Sequence, residues 1–237
     1  MEIGVVKELY RYPVKSMKGE AIEKSHVFWY GLDGDRRAAF IRGDNQSKFP
    51  WLTGRQISQL IQYEPYFTQP NNILGSPIHV KTPSGDDLLL TDPALQEELA
   101  QAYGHEVQLI NIGRGIFDTL ALSLMSTATA AALSQEMGQL LDPDRFRQNI
   151  IIETYENGPY LEESWLGRRL TFGEGGAEIR LNQRIQRCAM VNIEPKTAVR
   201  NSAVLKMIAQ KRDNCVGVVA STEKIGMIQV GDVIRLD

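Results

Sequence analysis

Short runs of apolar residues, cut by turn residues, fill most of this chain. Ile3 to Tyr12 is rich in β-branched and aromatic side chains and predicts a strand. Ile22 to Trp29 alternates in places and ends at a Gly31-Leu32-Asp33-Gly34 turn. Arg37 to Ile41 predicts a short strand closed by Gly43-Asp44-Asn45, Ile57 to Tyr63 another, and Leu88 to Leu90 a third. Pro70-Asn71-Asn72 and Pro83-Ser84-Gly85-Asp86 punctuate this stretch. So many short strands and turns predict a small barrel or sandwich.

Helical periodicity is rarer. Asp92-Pro93 offers a cap and a proline at the first helical position, Leu95, Leu99 and Ala102 share one face, and Gly104 ends the run. A second helix is expected from Ser126 to Met137, rich in alanine and stopped by Gly138. A third is expected from Ser202 to Lys211, with Val204, Leu205 and Ile208 inward. Strands are expected over Asn149–Ile152, Ala177–Leu181, Val216–Ala220 and Val233–Leu236. The fold class is therefore mostly β (α+β). The pattern breaks between Asn111 and Asp118, which predicts two domains, residues 1–117 and 118–237.

Composition narrows the function. With 237 residues, 43% hydrophobic and 23% charged, the chain has material for a real core. A net charge of −3 gives no case for a nucleic-acid binder. No apolar run approaches the ~18 residues of a membrane span, and the segment Met1 to Lys7 has no apolar signal core. The expected setting is the cytoplasm, without nucleic-acid or membrane partners. Two cysteines suit a reducing compartment. His26, His79 and His105 lack metal-site spacing.

Cys188 is the residue with the clearest chemical context. It follows Gln183-Arg184-Ile185-Gln186-Arg187, and positive charge beside a thiol favours the thiolate, a nucleophile and a soft metal ligand. A small buried hydrophobe is the alternative. Cys215, in Asn214-Cys215-Val216-Gly217-Val218, reads as a packing residue with no basic flank. Other polar groups sit at loop–strand junctions. They are Lys15 and Ser16 after a strand, Arg36 beside a turn, and Arg145, Arg147 and Asn149 before a strand. Thr119 precedes the run into the Ser126 helix, whose N-terminus is a natural anion site. Such a set suits an anionic ligand rich in hydrogen-bonding groups. Each member also has an ordinary reading. Lys15 suits a solvated edge strand, Arg36 a pairing with Asp33 or Asp35, and Arg145 a surface pairing with Asp142 or Asp144.

The motifs and their order carry a resemblance. Tyr12-Pro13-Val14-Lys15-Ser16, Gly31-Leu32 with Asp35-Arg36, and Trp51-Leu52-Thr53-Gly54-Arg55-Gln56 resemble the N-terminal β-barrel domain that precedes MOSC domains. Arg145-Phe146-Arg147-Gln148-Asn149, Glu162 to Gly167, Arg187-Cys188, Glu194-Pro195-Lys196-Thr197 and Val230-Gly231-Asp232-Val233 resemble the MOSC domain itself, related to the C-terminal domain of molybdenum cofactor sulfurase. The mitochondrial amidoxime-reducing component and its bacterial relatives are functional analogues. The resemblance implies an N-terminal β-barrel-like domain followed by a MOSC β-barrel with a few peripheral helices.

It also implies a molybdenum–molybdopterin cofactor. Cys188 matches the molybdenum ligand, and Lys15, Ser16 and Arg36 match residues holding the pterin and its phosphate. Thr119, Arg147 and Asn149 match further contacts. Gln148 departs from the usual proline, Gln186 from a small hydroxyl residue and Leu120 from a second hydroxyl, which bears on the substrate pocket.

The implied activity is two-electron reduction of N-hydroxylated or related N–O small molecules. With only two cysteines the chain cannot hold a four-cysteine cluster. Electrons are therefore expected from a separate ferredoxin-, flavodoxin- or cytochrome-like protein. Two alternatives stay open. One is sulfur transfer through a Cys188 persulfide, as in MOSC domains linked to pyridoxal-phosphate-dependent desulfurases. The other is a non-enzymatic carrier of the cofactor.

Overall fold

The computed structural model describes residues 1–70, 72–113, 115–116 and 119–237. Its centre is a closed barrel of seven strands. The order around it is Ile150–Thr154, Leu122–Ser126, Cys215–Lys224, Glu178–Gln186, Arg169–Phe172, Val233–Leu236 and Glu2–Arg11. The last of these pairs back with Ile150–Thr154, Leu9 facing Ile150 and Gly4 facing Thr154. One contact is parallel, between Leu122–Ser126 and Ile150–Thr154, and the other barrel pairs are antiparallel.

Alternation along the strands fills the interior. Leu122 and Leu124, Ile150 and Ile152, Leu170 and Phe172, Ile179 and Leu181, Val218 and Ala220, and Ile234 and Leu236 all pack into one core. These i, i+2 pairs place one face of every strand inward. The intervening residues Met125 and Ile151 point outward instead. There they meet Leu133 of the helix Thr127–Met137 and Val204, Met207 and Ile208 of the helix Ala203–Arg212. Truncating one such buried leucine or isoleucine to alanine costs about 2–5 kcal/mol.

A second core lies under the earlier half. There the strands Ala38–Arg42 and Val107–Asn111 pair, a three-stranded sheet runs Glu64–Phe67, Ile78–Lys81 and Asp87–Leu89, and the helix Pro93–Tyr103 packs Leu95 and Leu99 inward. The Asp92 side chain caps that helix and Gly104 closes it at φ 85°.

Several details differ from the sequence reading. Ile57 to Tyr63 is a 3-10 turn over Ser58–Gln62, because Ile57, Leu60 and Ile61 are spaced to bury one side of a turn. Leu122–Ser126 is a strand, and all five of its residues are buried. The expected domain boundary at Phe117/Asp118 lies outside the described residues. The first strand belongs to the barrel of the later half, and Lys24–Phe28 pairs with Gly226–Gln229. Among the described residues no helix is long and apolar enough to cross a membrane.

Candidate functional site

Beyond Arg11 the first strand gives way to a turn, where the Lys15 backbone N–H donates to the Ala38 carbonyl at 2.8 Å and Ser16 takes φ 68°. The next fixed point is Asp35, which is 1% exposed. Its Oδ1 accepts from the Tyr12 N–H at 2.7 Å, and its Oδ2 pairs with the Arg36 guanidinium. Arg36 N–H donates in turn to the Tyr12 carbonyl at 2.6 Å. Arg147 ends the 3-10 turn Pro143–Phe146 at φ 53°, and Arg36 itself has φ 47°. Ser16, Arg36 and Arg147 thus all occupy the left-handed region without being glycine. Such backbone costs about 1–3 kcal/mol per residue and gathers at functional sites.

Tyr12 is the platform for two of these cations. The guanidinium carbons of Arg147 and Arg36 lie 4.4 and 4.8 Å from its ring centre, and its hydroxyl donates to the Gln148 carbonyl at 3.1 Å. Asn149 braces one of them, Arg36. Its Oδ1 accepts from Ser123 Oγ at 3.0 Å and Arg36 Nη1 at 3.3 Å, while its Nδ2 donates to the Tyr10 carbonyl at 3.2 Å. Lys15, 6% exposed, donates to the Ile116 carbonyl at 3.4 Å and lies 6.0 Å from the Phe49 ring and 5.9 Å from Trp51.

Cys188 stands just beyond the strand Glu178–Gln186, at the entry to the 3-10 turn Ala189–Asn192, and its thiol is exposed and free. Arg187 beside it turns inward. Its Nε donates to the Val216 carbonyl and its Nη1 to the Phe146 carbonyl, both at 2.9 Å, and its Nη2 is buried without a partner. Burial pushes this guanidinium down to about 10, opposed by its neighbour Cys188. Burial does the same to Arg147, also to about 10, and its Nη2 too is buried without a partner.

One cavity of about 650 Å³ gathers these groups. Lys15, Ser16, Arg36, Thr119, Arg147, Asn149 and Cys188, the full set of expected site residues, line it together. Arg42, Phe49, Thr53, Arg55, Gln56, Ser123, Arg145 and Arg187 line it as well, and sequence reasoning gave most of them no role. The Thr53-Gly54-Arg55-Gln56 motif was the available signal. Among the described residues the lining carries seven cationic side chains and no carboxylate. A neighbouring cavity of about 640 Å³ shares Arg145, Arg147 and Met190 but mixes lysines with Glu64, Asp142 and Asp144. Cys188 belongs only to the first.

Four expectations change. Arg184 does not face Cys188, because it pairs with Glu163 at 3.1 Å and Asp213 at 3.4 Å. Arg145 is buried rather than on the surface. It pairs with Glu194 and donates to the Val191 carbonyl at 2.8 Å. Cys215 is half-buried at a strand start opposite Gln186, and its neighbourhood includes Arg187. The N-terminus of the helix Thr127–Met137 is not open to an anion. Ser126 caps it, and the buried Glu162 carboxyl accepts from the Ser126 N–H at 3.3 Å.

Among the described residues no three His, Cys, Asp or Glu side chains converge to hold a metal. Cys188 is thus a lone exposed thiol in the lining of a cationic cavity. That donor set fits a metal whose other ligands arrive with an anionic cofactor. Three guanidinium nitrogens of this lining, on Arg145, Arg147 and Arg187, are buried without partners among the described residues and fit the same group.

A solved structure shows the same overall fold. The YUAD protein from Bacillus subtilis superposes with a TM-score of 0.53 at 14% identity, covering 99% of this chain and 95% of that one. YiiM from Geobacillus stearothermophilus matches 49% of this chain and 54% of its own at 18% identity, with a TM-score of 0.37. No curated protein matches the sequence. The family model of the MOSC domain matches residues 114–235, just over half of the chain, which therefore belongs to the MOSC domain family.

Proposed function

We propose that this chain binds the molybdenum cofactor in the 650 Å³ cavity and reduces N-hydroxylated or related N–O small molecules. The family binds this cofactor in its sulfurase and reductase members. The supporting observation is a single cavity in which an exposed thiol meets seven cations and no carboxylate among the described residues. Three of those cations, Arg145, Arg147 and Arg187, carry buried nitrogens without partners among the described residues. A phosphate-bearing pterin supplies the missing acceptors.

In this reading Lys15, Ser16 and Arg36 hold the pterin and its phosphate. Arg147, Asn149 and Thr119 complete its contacts, and Cys188 gives the protein's one ligand to the metal. The cofactor supplies two-electron oxygen-transfer chemistry. The protein supplies position. Tyr12 and Asp35 fix the cations before the ligand enters, so binding loses little to reorganisation. Over one turnover the N–O bond breaks, two electrons and two protons enter, and the products are the reduced nitrogen compound and water. The electrons come from a separate ferredoxin-, flavodoxin- or cytochrome-like protein.

Elemental analysis of protein made in a cofactor-competent host tests this directly. The expected content is about one molybdenum per chain, from the single sulfur ligand, with turnover of an N-hydroxylated substrate from an artificial donor. Metal-free protein bearing a Cys188 persulfide would replace the proposal with sulfur transfer. Bound metal without turnover would replace it with a carrier.

A further inference from the structure

Arg55 lies in a motif that carries the resemblance, yet neither the cofactor reading nor the fold gives its side chain a role. It is exposed, and among the described residues it makes no ion pair. Its guanidinium carbon lies 4.7 Å from the Phe49 ring centre, and its Nε donates to Thr53 Oγ1 at 3.4 Å. The loop that carries it is held hard. The Thr53 hydroxyl donates to Gln56 Oε1 at 2.9 Å and accepts from the Arg55 N–H at 3.2 Å. Arg200 Nη2 donates to the Gly54 and Arg55 carbonyls at 2.9 and 3.0 Å.

This loop is seated against the segment that follows Cys188. A Cβ on Gly54 would lie 2.7 Å from Ile193 Cδ1 and 3.0 Å from Met190 Sδ. A side chain there would have to push the ends of both side chains aside. Arg55 is therefore a fixed charge beside the segment that carries the thiol, stacked on an aromatic ring, in a wall without described carboxylates. A planar cation so placed recognises carboxylates and other oxyanions through paired N–H donors.

We infer that Arg55 reads the substrate, and that the site selects N–O compounds carrying a carboxylate or another anionic group. This rests on the N–O reductase reading above. The neighbouring Phe49 ring further suits an aromatic or planar substrate body.

The test compares two substrates on metal-loaded protein, benzamidoxime and its carboxylate-bearing analogue 4-carboxybenzamidoxime. In Arg55→Met the kcat/KM ratio of the charged over the uncharged substrate falls by about 10- to 100-fold, the range of one charge-assisted hydrogen bond. The loss appears in KM, and Arg55→Lys restores part of it. Benzoate binding to wild type, followed by calorimetry, weakens in Arg55→Met over the same range.

Equal effects on both substrates, or none, with metal content intact, overturn the inference. A loss of metal in Arg55→Met assigns Arg55 to the cofactor and also overturns it. If metal-loaded wild type turns over neither substrate, the reductase reading fails. Benzoate binding then decides Arg55 alone, and unchanged affinity in Arg55→Met sinks its anion-reading role.

Discussion

Arg36 Nη2 donates to the backbone carbonyl of Arg147 at 3.4 Å, across 111 residues of sequence. Two cations in contact in this way repel, and each is held by something else. Arg36 has Asp35, and both lie on the Tyr12 ring. Arg147 Nη2 is buried without a partner among the described residues, and that sets the first prediction.

Arg147→Met should act with opposite signs on the empty and the loaded protein. The buried guanidinium is pushed down to about 10, so its charge is costly where it sits. Removing it leaves the melting temperature of metal-free protein unchanged or higher. Cofactor retention weakens by about 10- to 100-fold, the worth of a charge-assisted contact. Metal content after dialysis and thermal melts read the two effects. A strongly lowered melt of metal-free protein would make Arg147 a structural residue instead.

The two cysteines should separate cleanly. Cys188→Ala loses both metal and activity, because the thiol lines the cavity and is exposed. Cys215→Ala keeps both and loses stability on the order of 1 kcal/mol. Cys215 lies opposite Gln186 in the ladder but does not line the cavity. A folded Cys215→Ala protein without metal would show that both thiols serve the site.

Glu162 gives a prediction in pH. Its carboxyl is fully buried, and burial holds it above the ordinary glutamate range. The folded protein therefore keeps this proton to higher pH than the unfolded chain does. Its stabilising contribution is complete below the unfolded value and is lost as pH rises through the folded one. Urea denaturation between about pH 4 and 8 should show wild type losing ground to Glu162→Gln as pH rises. Parallel curves for the two proteins would contradict the assignment.

Gly217→Ala should disturb Arg187 without touching it chemically. Gly217 has φ 70°, and a Cβ there would lie 3.0 Å from Leu124 O and Gln148 Nε2 and 3.4 Å from Arg187 Nη2. The left-handed backbone and the crowded carbonyl together cost about 1–3 kcal/mol. Chemical denaturation measures that loss. A variant as stable as wild type would mean that the strand relaxes at no cost.

Much of this was legible in the chain. Asp92-Pro93 with Gly104, and Ser126 with Gly138, mark both ends of their helices because caps are local chemistry. The motif residues Lys15, Ser16, Arg36, Arg147 and Cys188 were legible as a set because their order carried a family resemblance. Other features depend on distant partners. Leu122–Ser126 is buried on both faces and shows no alternation to read. Arg145 sits among aspartates in sequence, yet Asp142 spends its carboxylate on the Asp144 N–H, and Arg145 turns to Glu194. Arg42, Phe49 and Arg55 reach the cavity through loops whose placement is set by tertiary contacts.

The closure of the barrel has a consequence for the order of events during synthesis. Glu2–Arg11 leaves the ribosome well before its two barrel neighbours, Ile150–Thr154 and Val233–Leu236. The Met1 amine even donates to the Leu236 carbonyl at 2.9 Å. This strand must therefore wait, unpaired along its barrel edges, until those two segments have been translated. Lys15 and Ser16 follow closely on that strand, so the pocket they line takes its final shape only after Val233–Leu236 has been made. Any group that fills the pocket is loaded into a closed barrel and not threaded into a growing one.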